Sequence, residues 1–252
     1  MKIGLLKGNI NYIDKYSIIN IYKNNNLDIL YVNLSQYLYK EFNYVFSNYK
    51  NIRLYNNQYY NSDYILNNII DINMFKNMDR SQIRYIYNNG LYYKEIIRNI
   101  LSEKRYNHSI RVAELASKIA KAHKLDTHKA YMLGLLHDVT KECDNDDVMN
   151  KYYPELIQIS KGLYHQYTAP IFIKDHFKIY DSSIHKAIMN HTTGNDKSLY
   201  GMILFIADKC EPDRKFDTYE FLKQTYTNLY RGYKLVYDNY IEYLREQKYE
   251  RI

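Results

Sequence analysis

A histidine and an aspartate follow directly on an apolar helical run near the middle of the chain. The segment GLLHDVTKE, residues 134–142, leads from a run of Leu and Met into His137 and Asp138. A buried histidine next to a buried aspartate is costly unless both side chains have partners. The pair therefore requires either that the two residues satisfy each other or that further polar groups converge on them.

Further candidates stand at the edges of other helical apolar runs. They are His108, His165, His191 and Asp208. Together with the pair they give the order H…HD…H…H…D. Protein groups alone would hardly satisfy four imidazoles and two carboxylates in a helical core, whereas metal ions would. Imidazole with carboxylate suits Fe, Mn, Zn or Co better than Mg or Ca.

The number of candidate ligands favours two ions over one. Six ligands exceed what a single tetrahedral structural zinc takes. Two ions that share Asp138 as a bridge fit better and leave open positions for water and substrate. Two-metal sites of this kind serve the hydrolysis of phosphoesters and phosphoanhydrides. Lys141 and Arg214 then serve as cations for the remaining phosphate charge.

Apolar periodicity predicts a helical domain around these residues. We expect helices over 102–124, 127–137, 165–177, 182–191, 199–210 and 217–247. Ser102 is the expected N-cap of the first helix, and Thr127 that of the second. The stripe on the last helix, which includes Tyr233, Val236 and Tyr240, is assigned to packing.

The first part of the chain has a different character. All eight histidines lie between residues 108 and 191. The apolar runs KIGLL (2–6) and LDILYVNL (27–34), bounded by Asn-rich segments, are typical of buried strands that alternate with helices. We therefore predict a mainly α protein, with a small α/β domain over residues 1–92 and an all-helical domain over residues 93–252.

Composition excludes several classes of protein. No apolar run approaches the length of a membrane span, and the N-terminus has no credible cleavage site of a signal peptide. Two cysteines form neither a CxxC motif nor a disulfide framework, which fits the cytoplasm. The net charge of +7 favours anionic partners in general, but its spread predicts no specific nucleic-acid binding.

The segment RYNHSIRVAELASKIAKAHKLDTHKAYMLGLLHDVTK resembles the opening of HD-domain metal-dependent phosphohydrolases. NHTTG, followed by FIADKCEPDR, is similar to the YqeK-type branch, and the resemblance covers about residues 100–216. It implies an all-helical bundle and a symmetrical bis(5′-nucleosyl)-tetraphosphatase. Such an enzyme cleaves diadenosine tetraphosphate into two ADP by a bridging hydroxide at a di-iron centre, where Mn, Co or Zn are alternative ions.

The resemblance assigns a role to each candidate. The first ion would be held by His108, His137, Asp138 and Asp208. The second ion would be held by His165 and His191, with Asp138 as the bridge. Asp138 and Lys141 would be catalytic. The phosphates would contact Lys141 and Arg214, and the six metal ligands would line the substrate site. The remaining histidines, 123, 128, 176 and 185, are assigned to helix ends or polar faces. Arg105 could brace His108, but it is assigned to packing.

The N-terminal segments KIGLLKGNINYID and DRSQIRYIYNNGLYYKEII faintly resemble nicotinate-nucleotide adenylyltransferase. That enzyme needs an HxGH-like motif near its first strand, and no histidine precedes residue 108. We expect either a degenerate, non-catalytic relative or an unrelated α/β cap. Two alternatives stay open for the whole chain: hydrolysis of another nucleotide, such as a nucleoside monophosphate or a hyperphosphorylated guanosine, or a metal-stabilised scaffold whose N-terminal domain docks a partner. A homodimer is also left open.

Overall fold

The computed structural model describes residues 3–10, 29–34, 52–55, 75, 80–214 and 217–249. The chain divides into two compact units, Met1–Ile96 and Ile97–Ile252.

The first unit contains a parallel sheet of three strands in the order β1-β2-β3. The strands are β1 (Ile3–Ile10), β2 (Ile29–Leu34) and β3 (Ile52–Tyr55). In register, Ile3 lies opposite Ile29, and Leu30 lies opposite Ile52. Both segments predicted as strands are therefore extended. The segments that connect the strands lie outside the described residues, so the structure does not establish the small α/β domain as a whole.

The rest of the described chain is mostly helical, as predicted. The α-helices are α1 (Arg80–Asn89), α2 (Tyr93–Ile100), α3 (Glu103–Ala122), α4 (Thr127–Leu136), α5 (Asp146–Tyr152), α6 (Tyr164–Phe177), α7 (Ser182–Met189), α8 (Leu199–Cys210), α9 (Tyr219–Thr227) and α10 (Leu229–Tyr249). Short 3-10 helices span Pro154–Leu156 and Lys161–Leu163. Within the described residues, no helix has both the length and the apolar character that crossing a membrane requires.

The start of α3 is fixed from two directions. Ser102 is its N-cap, as predicted, because its Oγ accepts a hydrogen bond from the backbone N–H of Arg105. The backbone N–H and the hydroxyl of Ser102 donate in turn to the carboxylate of Glu142, at 2.7 and 2.6 Å. The beginning of α3 is thereby tied to the segment that follows Asp138.

Helix α4 packs on α3 through an unusually close approach at Gly134. A Cβ atom on Gly134 would lie 2.4 Å from Cα of Ala113, a distance that no side chain tolerates. Only glycine therefore allows this approach. Because Gly134 precedes His137 by three residues, the contact sets the position of the end of α4, next to His137. The N-cap of α4 is Asp126, which accepts from the N–H of Lys129, so the expectation of a Thr127 cap was wrong.

The predicted single helix over 217–247 is two helices, α9 and α10. Asn228 adopts an extended backbone (φ −149°, ψ 111°) that ends α9, and α10 starts at the next residue. The apolar stripe continues across this break, so periodicity alone did not reveal it. Tyr233 and Val236 are buried, in agreement with a packing role, and the Tyr233 hydroxyl donates to the backbone carbonyl of Gly194 at 2.7 Å. This bond fixes the loop after His191.

Candidate metal centre

The second unit brings all six predicted ligand residues together. His108 lies in α3, His137 and Asp138 follow α4, His165 lies in the first turn of α6, His191 follows α7, and Asp208 lies in the last turn of α8. Each is at most 8% exposed. The packing of the helices thus brings the six polar side chains together in one buried cluster.

Asp138 divides the four histidines into two pairs. Its Oδ2 lies 3.6 Å from Nε2 of His137 and 3.9 Å from Nε2 of His108. Its Oδ1 lies 3.2 Å from Nε2 of His165 and 3.6 Å from Nε2 of His191. Two groups of three ligand atoms result, and within each group all atoms lie within 4.8 Å of one another. Asp138 is the member that both groups share.

Asp208 adds a second carboxylate on the side of His108 and His137. Its Oδ1 lies 3.2 Å from Nε2 of His108 and 3.8 Å from Nε2 of His137. Arg214 donates to the same oxygen at 2.9 Å, and the Lys209 ammonium lies 2.9 Å from Oδ2. The predicted ligand Asp208 therefore lies within 3.8 Å of both histidines of the first group.

Three of the histidines are oriented by hydrogen bonds from Nδ1. Nδ1 of His137 donates to the carbonyl of Gly134 at 2.7 Å, and Nδ1 of His191 donates to that of Ile188 at 2.6 Å. Nδ1 of His108 lies 3.2 Å from a carboxylate oxygen of Glu211. A carbonyl only accepts, so the proton of His137 and of His191 sits on Nδ1 and the lone pair of each Nε2 points into the cluster. This is the usual support for a metal-binding imidazole.

The charge states of the cluster suit a cation. Burial lowers the pKa of His137 to about 3, so this imidazole is neutral at pH 7. Burial opposes the charged form of Asp138, but the neighbouring imidazole of His137 and a hydrogen bond from His165 outweigh it and hold the carboxyl pKa well below its usual range. The same holds for Asp208, where the Lys209 ammonium offsets burial. Neutral imidazole and ionised carboxylate are the forms that bind metal.

The environment of the buried Nε2 of His137 indicates that a metal ion fits this site. This atom is fully buried and has no hydrogen-bond partner in the structure. An unpaired buried nitrogen is costly, and a cation held between His137, His108 and the two carboxylates would satisfy it. The donor set of nitrogen and oxygen fits a divalent transition metal.

The two predicted phosphate-binding cations lie at the edge of the cluster. Lys141 is half-buried, donates to the carbonyl of Gly162 at 3.0 Å and lies 3.2 Å from Nδ1 of His165. Burial lowers its pKa. Arg214 donates through Nε to the backbone carbonyl of Asp208 at 2.9 Å, in addition to its bond to the carboxylate. Each of the two cations thus contacts a predicted ligand: Lys141 lies next to His165, and Arg214 binds Asp208.

Sequence reasoning missed three residues that hold the ligands. Arg105 was assigned to packing, but its guanidinium donates to Oδ2 of Asp138 at 2.9 Å. Glu211 orients His108, and Lys209 pairs with Asp208. Arg105 precedes His108 by three residues and therefore lies on the same helix face, which is a weak signal that the sequence did contain. The contact of Glu211 with α3 spans 103 residues and left no such signal.

Three of the histidines assigned to other roles make their contacts outside this cluster. Nε2 of His123 donates to the carbonyl of Thr225, and Nε2 of His185 donates to that of Ile179. His176 is exposed and packs on Phe172.

Comparisons with known proteins identify the class to which this fold and site belong. The model of the HD domain matches residues 105–213, which contain all six ligand candidates. The crystal structure of a predicted HD superfamily hydrolase involved in NAD metabolism from Clostridium acetobutylicum aligns with a TM-score of 0.56 at 30% identity, over 62% of this chain and 87% of that one. The chain therefore belongs to the HD-domain family.

Two curated relatives narrow the comparison. A probable nicotinate-nucleotide adenylyltransferase/Ap4A hydrolase of Mycoplasma genitalium is 35% identical over 137 residues, 53% of this chain and 39% of the relative. A symmetrical bis(5′-nucleosyl)-tetraphosphatase of Staphylococcus aureus is 34% identical over 130 residues, 48% of this chain and 66% of the relative. The match thus spans about two fifths of the length of the Mycoplasma protein.

Proposed function

We propose that this chain hydrolyses diadenosine tetraphosphate symmetrically, to two ADP, with two divalent metal ions held by the HD cluster. The observation that carries the proposal is the position of Asp138, whose two carboxylate oxygens each face a separate pair of histidines. A carboxylate placed in this way can bridge the two ions of a two-metal centre. The relative that is named a symmetrical bis(5′-nucleosyl)-tetraphosphatase supports the choice of substrate.

The proposed ligands follow the two groups. His108, His137, Asp138 and Asp208 would hold the first ion. His165 and His191 would hold the second ion together with Asp138. Iron is the preferred metal, with Mn, Co or Zn as alternatives. When bound, the ions would activate water and neutralise charge on the phosphoryl oxygens.

The side chains of the chain itself would orient the reaction. Asp138 is held by Arg105 on one side and faces two imidazoles on the other, so its carboxylate stays fixed and ionised. Lys141 would place a positive charge next to His165, where charge builds up on the phosphoryl oxygens during attack. Arg214 would offer the second cation for the polyphosphate from its position on Asp208.

Product analysis tests this function directly. Purified protein, loaded anaerobically with iron or with manganese, is given diadenosine tetraphosphate, and the nucleotides are separated by ion-exchange chromatography. ADP as sole product, lost on addition of a chelator, is the expected result. AMP with ATP would mean attack at a different phosphorus, and no turnover by metal-loaded protein would exclude this substrate. Either outcome would contradict the proposal.

The proposal for the first unit is a degenerate relative of nicotinate-nucleotide adenylyltransferase without activity of its own. The three parallel strands are consistent with an α/β fold of this type. The Mycoplasma genitalium relative carries both activities in its name. The missing histidine argues against catalysis. Assay of nicotinate mononucleotide with ATP tests this, and formation of the dinucleotide would contradict it.

A further inference from the structure

A groove of about 720 Å³, large enough for a nucleoside, opens beside Asp208. It lies between the end of α8, the segment after it and one face of α10. Lys209, Asp213, Arg214, Val236, Asn239, Tyr240, Glu242, Tyr243 and Glu246 line it. The two basic residues of its wall are those that pair with the Asp208 carboxylate, so the groove adjoins the metal cluster.

Lys209 joins the groove to the cluster. Its ammonium lies 2.9 Å from Oδ2 of Asp208 and 5.0 Å from the centre of the Tyr240 ring. Tyr240 in turn packs edge-on against Phe205, with ring centres 5.7 Å apart. The position of this aromatic wall is therefore fixed relative to the predicted ligand Asp208.

Charge and aromatic character change along the groove. Lys209 and Arg214 lie at the end next to Asp208 together with Asp213, whose carboxylate pairs with Arg111 at 2.9 Å, while Glu242 and Glu246 lie on α10. Tyr240 and Tyr243 are three residues apart and share a helix face. Tyr243 is 55% exposed, so its ring is accessible in the groove.

We propose that this groove binds one nucleoside of the substrate, with the base stacked on Tyr243 and Tyr240. The adjoining phosphates would meet Arg214 and Lys209, and the ribose hydroxyls would donate to Glu242 or Glu246. Carboxylates at that end would repel phosphate, so the nucleoside and not the polyphosphate would occupy it. The inference rests on the proposed function, because it takes the polyphosphate to lie at the metal cluster.

Two ligands that differ by the nucleoside test this inference. ADP and inorganic pyrophosphate are titrated by calorimetry into the metal-loaded protein and into its Tyr243→Ala, Tyr243→Phe and Tyr230→Ala variants. Tyr230 is equally exposed, at 59%, on the same helix, but does not line the groove, so it is the matched control. Base stacking on an aromatic side chain predicts a loss of about tenfold in ADP affinity for Tyr243→Ala.

The expected pattern is specific to the nucleoside. Tyr243→Ala weakens ADP and leaves pyrophosphate unchanged, whereas Tyr243→Phe and Tyr230→Ala bind both ligands as the unmodified protein does. Equal ADP affinity in Tyr243→Ala, an equal loss for both ligands, or no ADP binding by the unmodified protein would overturn the inference.

Diadenosine tetraphosphate hydrolysis by the same preparations separates this inference from the proposed function. Symmetric hydrolysis with ADP binding that is insensitive to Tyr243 would overturn the groove alone. Binding of ADP that depends on Tyr243, without hydrolysis of diadenosine tetraphosphate, would support the nucleoside groove and overturn the proposed substrate.

Discussion

One carboxylate oxygen of Glu211 lies 3.2 Å from Nδ1 of His108, and the other accepts a 2.6 Å hydrogen bond from Nε of Arg111. Arg111 therefore anchors Glu211 while Glu211 orients a predicted metal ligand. The pKa of the Glu211 carboxyl is lowered because the hydrogen bond from Arg111 outweighs the opposing effect of burial. The ionised carboxylate then stabilises the imidazole in the form that presents Nε2 to a metal.

Removing this support should weaken metal binding. We expect Glu211→Ala to lower the affinity for the first ion by about 10- to 100-fold, and Glu211→Gln to lower it less, because an amide oxygen still accepts from Nδ1. Competition with a chromophoric chelator measures the affinity. The control is Glu114→Gln, at an exposed position of α3, the helix that carries His108. This variant should bind metal as the unmodified protein does. Full affinity in Glu211→Ala would show that Glu211 does not orient His108.

Loss of His137 should remove metal and hydrolysis together. Its Nε2 has no partner other than the proposed ion, so His137→Ala takes a ligand away and leaves the site incomplete. Metal content by atomic emission and ADP production are measured on the same sample. His176→Ala, an exposed histidine outside the cluster, should retain both. Full activity in His137→Ala would contradict the assignment of His137 as a metal ligand.

A methyl group at Gly134 should destabilise the second unit. Gly134→Ala places Cβ 2.4 Å from the backbone of α3, and we expect the free energy of unfolding to fall by about 2 kcal/mol. Urea denaturation followed by circular dichroism measures this change. Gly162→Ala is the control, because its Cβ would meet only Ser160 Oγ at 3.6 Å, an ordinary contact. Equal stability of the two variants would disprove the close approach of α3 and α4.

Acid should remove a stabilising contribution of Asp181. Burial opposes its charged form, but hydrogen bonds from Lys129 and Ser183 lower the carboxyl pKa from 3.8 to about 2. A lowered pKa in the folded state stabilises the protein above the unfolded pKa, and that stabilisation is lost as the pH falls from about 4 to about 2.

The variant Asp181→Asn isolates this contribution. Because the side chain is 38% exposed, solvent screening limits the gain to the order of 1 kcal/mol at pH 7. The difference in unfolding free energy between the unmodified protein and Asp181→Asn should shrink between pH 4 and pH 3. A difference that stays constant or grows over this range would contradict the assignment.

Most of the candidate ligands were predictable because titratable side chains are unexpected within apolar stretches of sequence. His137, Asp138 and Asp208 stand at the ends of apolar helical runs, where a polar side chain without partners would be costly. The helices that carry them were predictable from the same periodicity. Ser102 was recognisable as an N-cap from local sequence alone.

The residues that support the ligands were harder to predict, because their partners are distant in sequence. Arg105 lies in the first turn of α3, where charged residues are ordinary, and Glu211 lies in the segment directly after α8. Only the packing of these elements brings the two side chains to Asp138 and His108. The break at Asn228 has a similar cause. Asn228 has an extended backbone, but no glycine or proline marks the position, and the apolar stripe continues on both sides of it.

Metal stoichiometry in ligand variants tests the central claim, that Asp138 is shared by two ions. The protein is loaded anaerobically with iron, freed of unbound metal and assayed for metal per chain. We expect two ions in the unmodified protein, one in His191→Ala, and none tightly held in Asp138→Ala, because that change removes a ligand from both groups. Two ions retained in Asp138→Ala, or one ion in the unmodified protein, would contradict a centre bridged by Asp138.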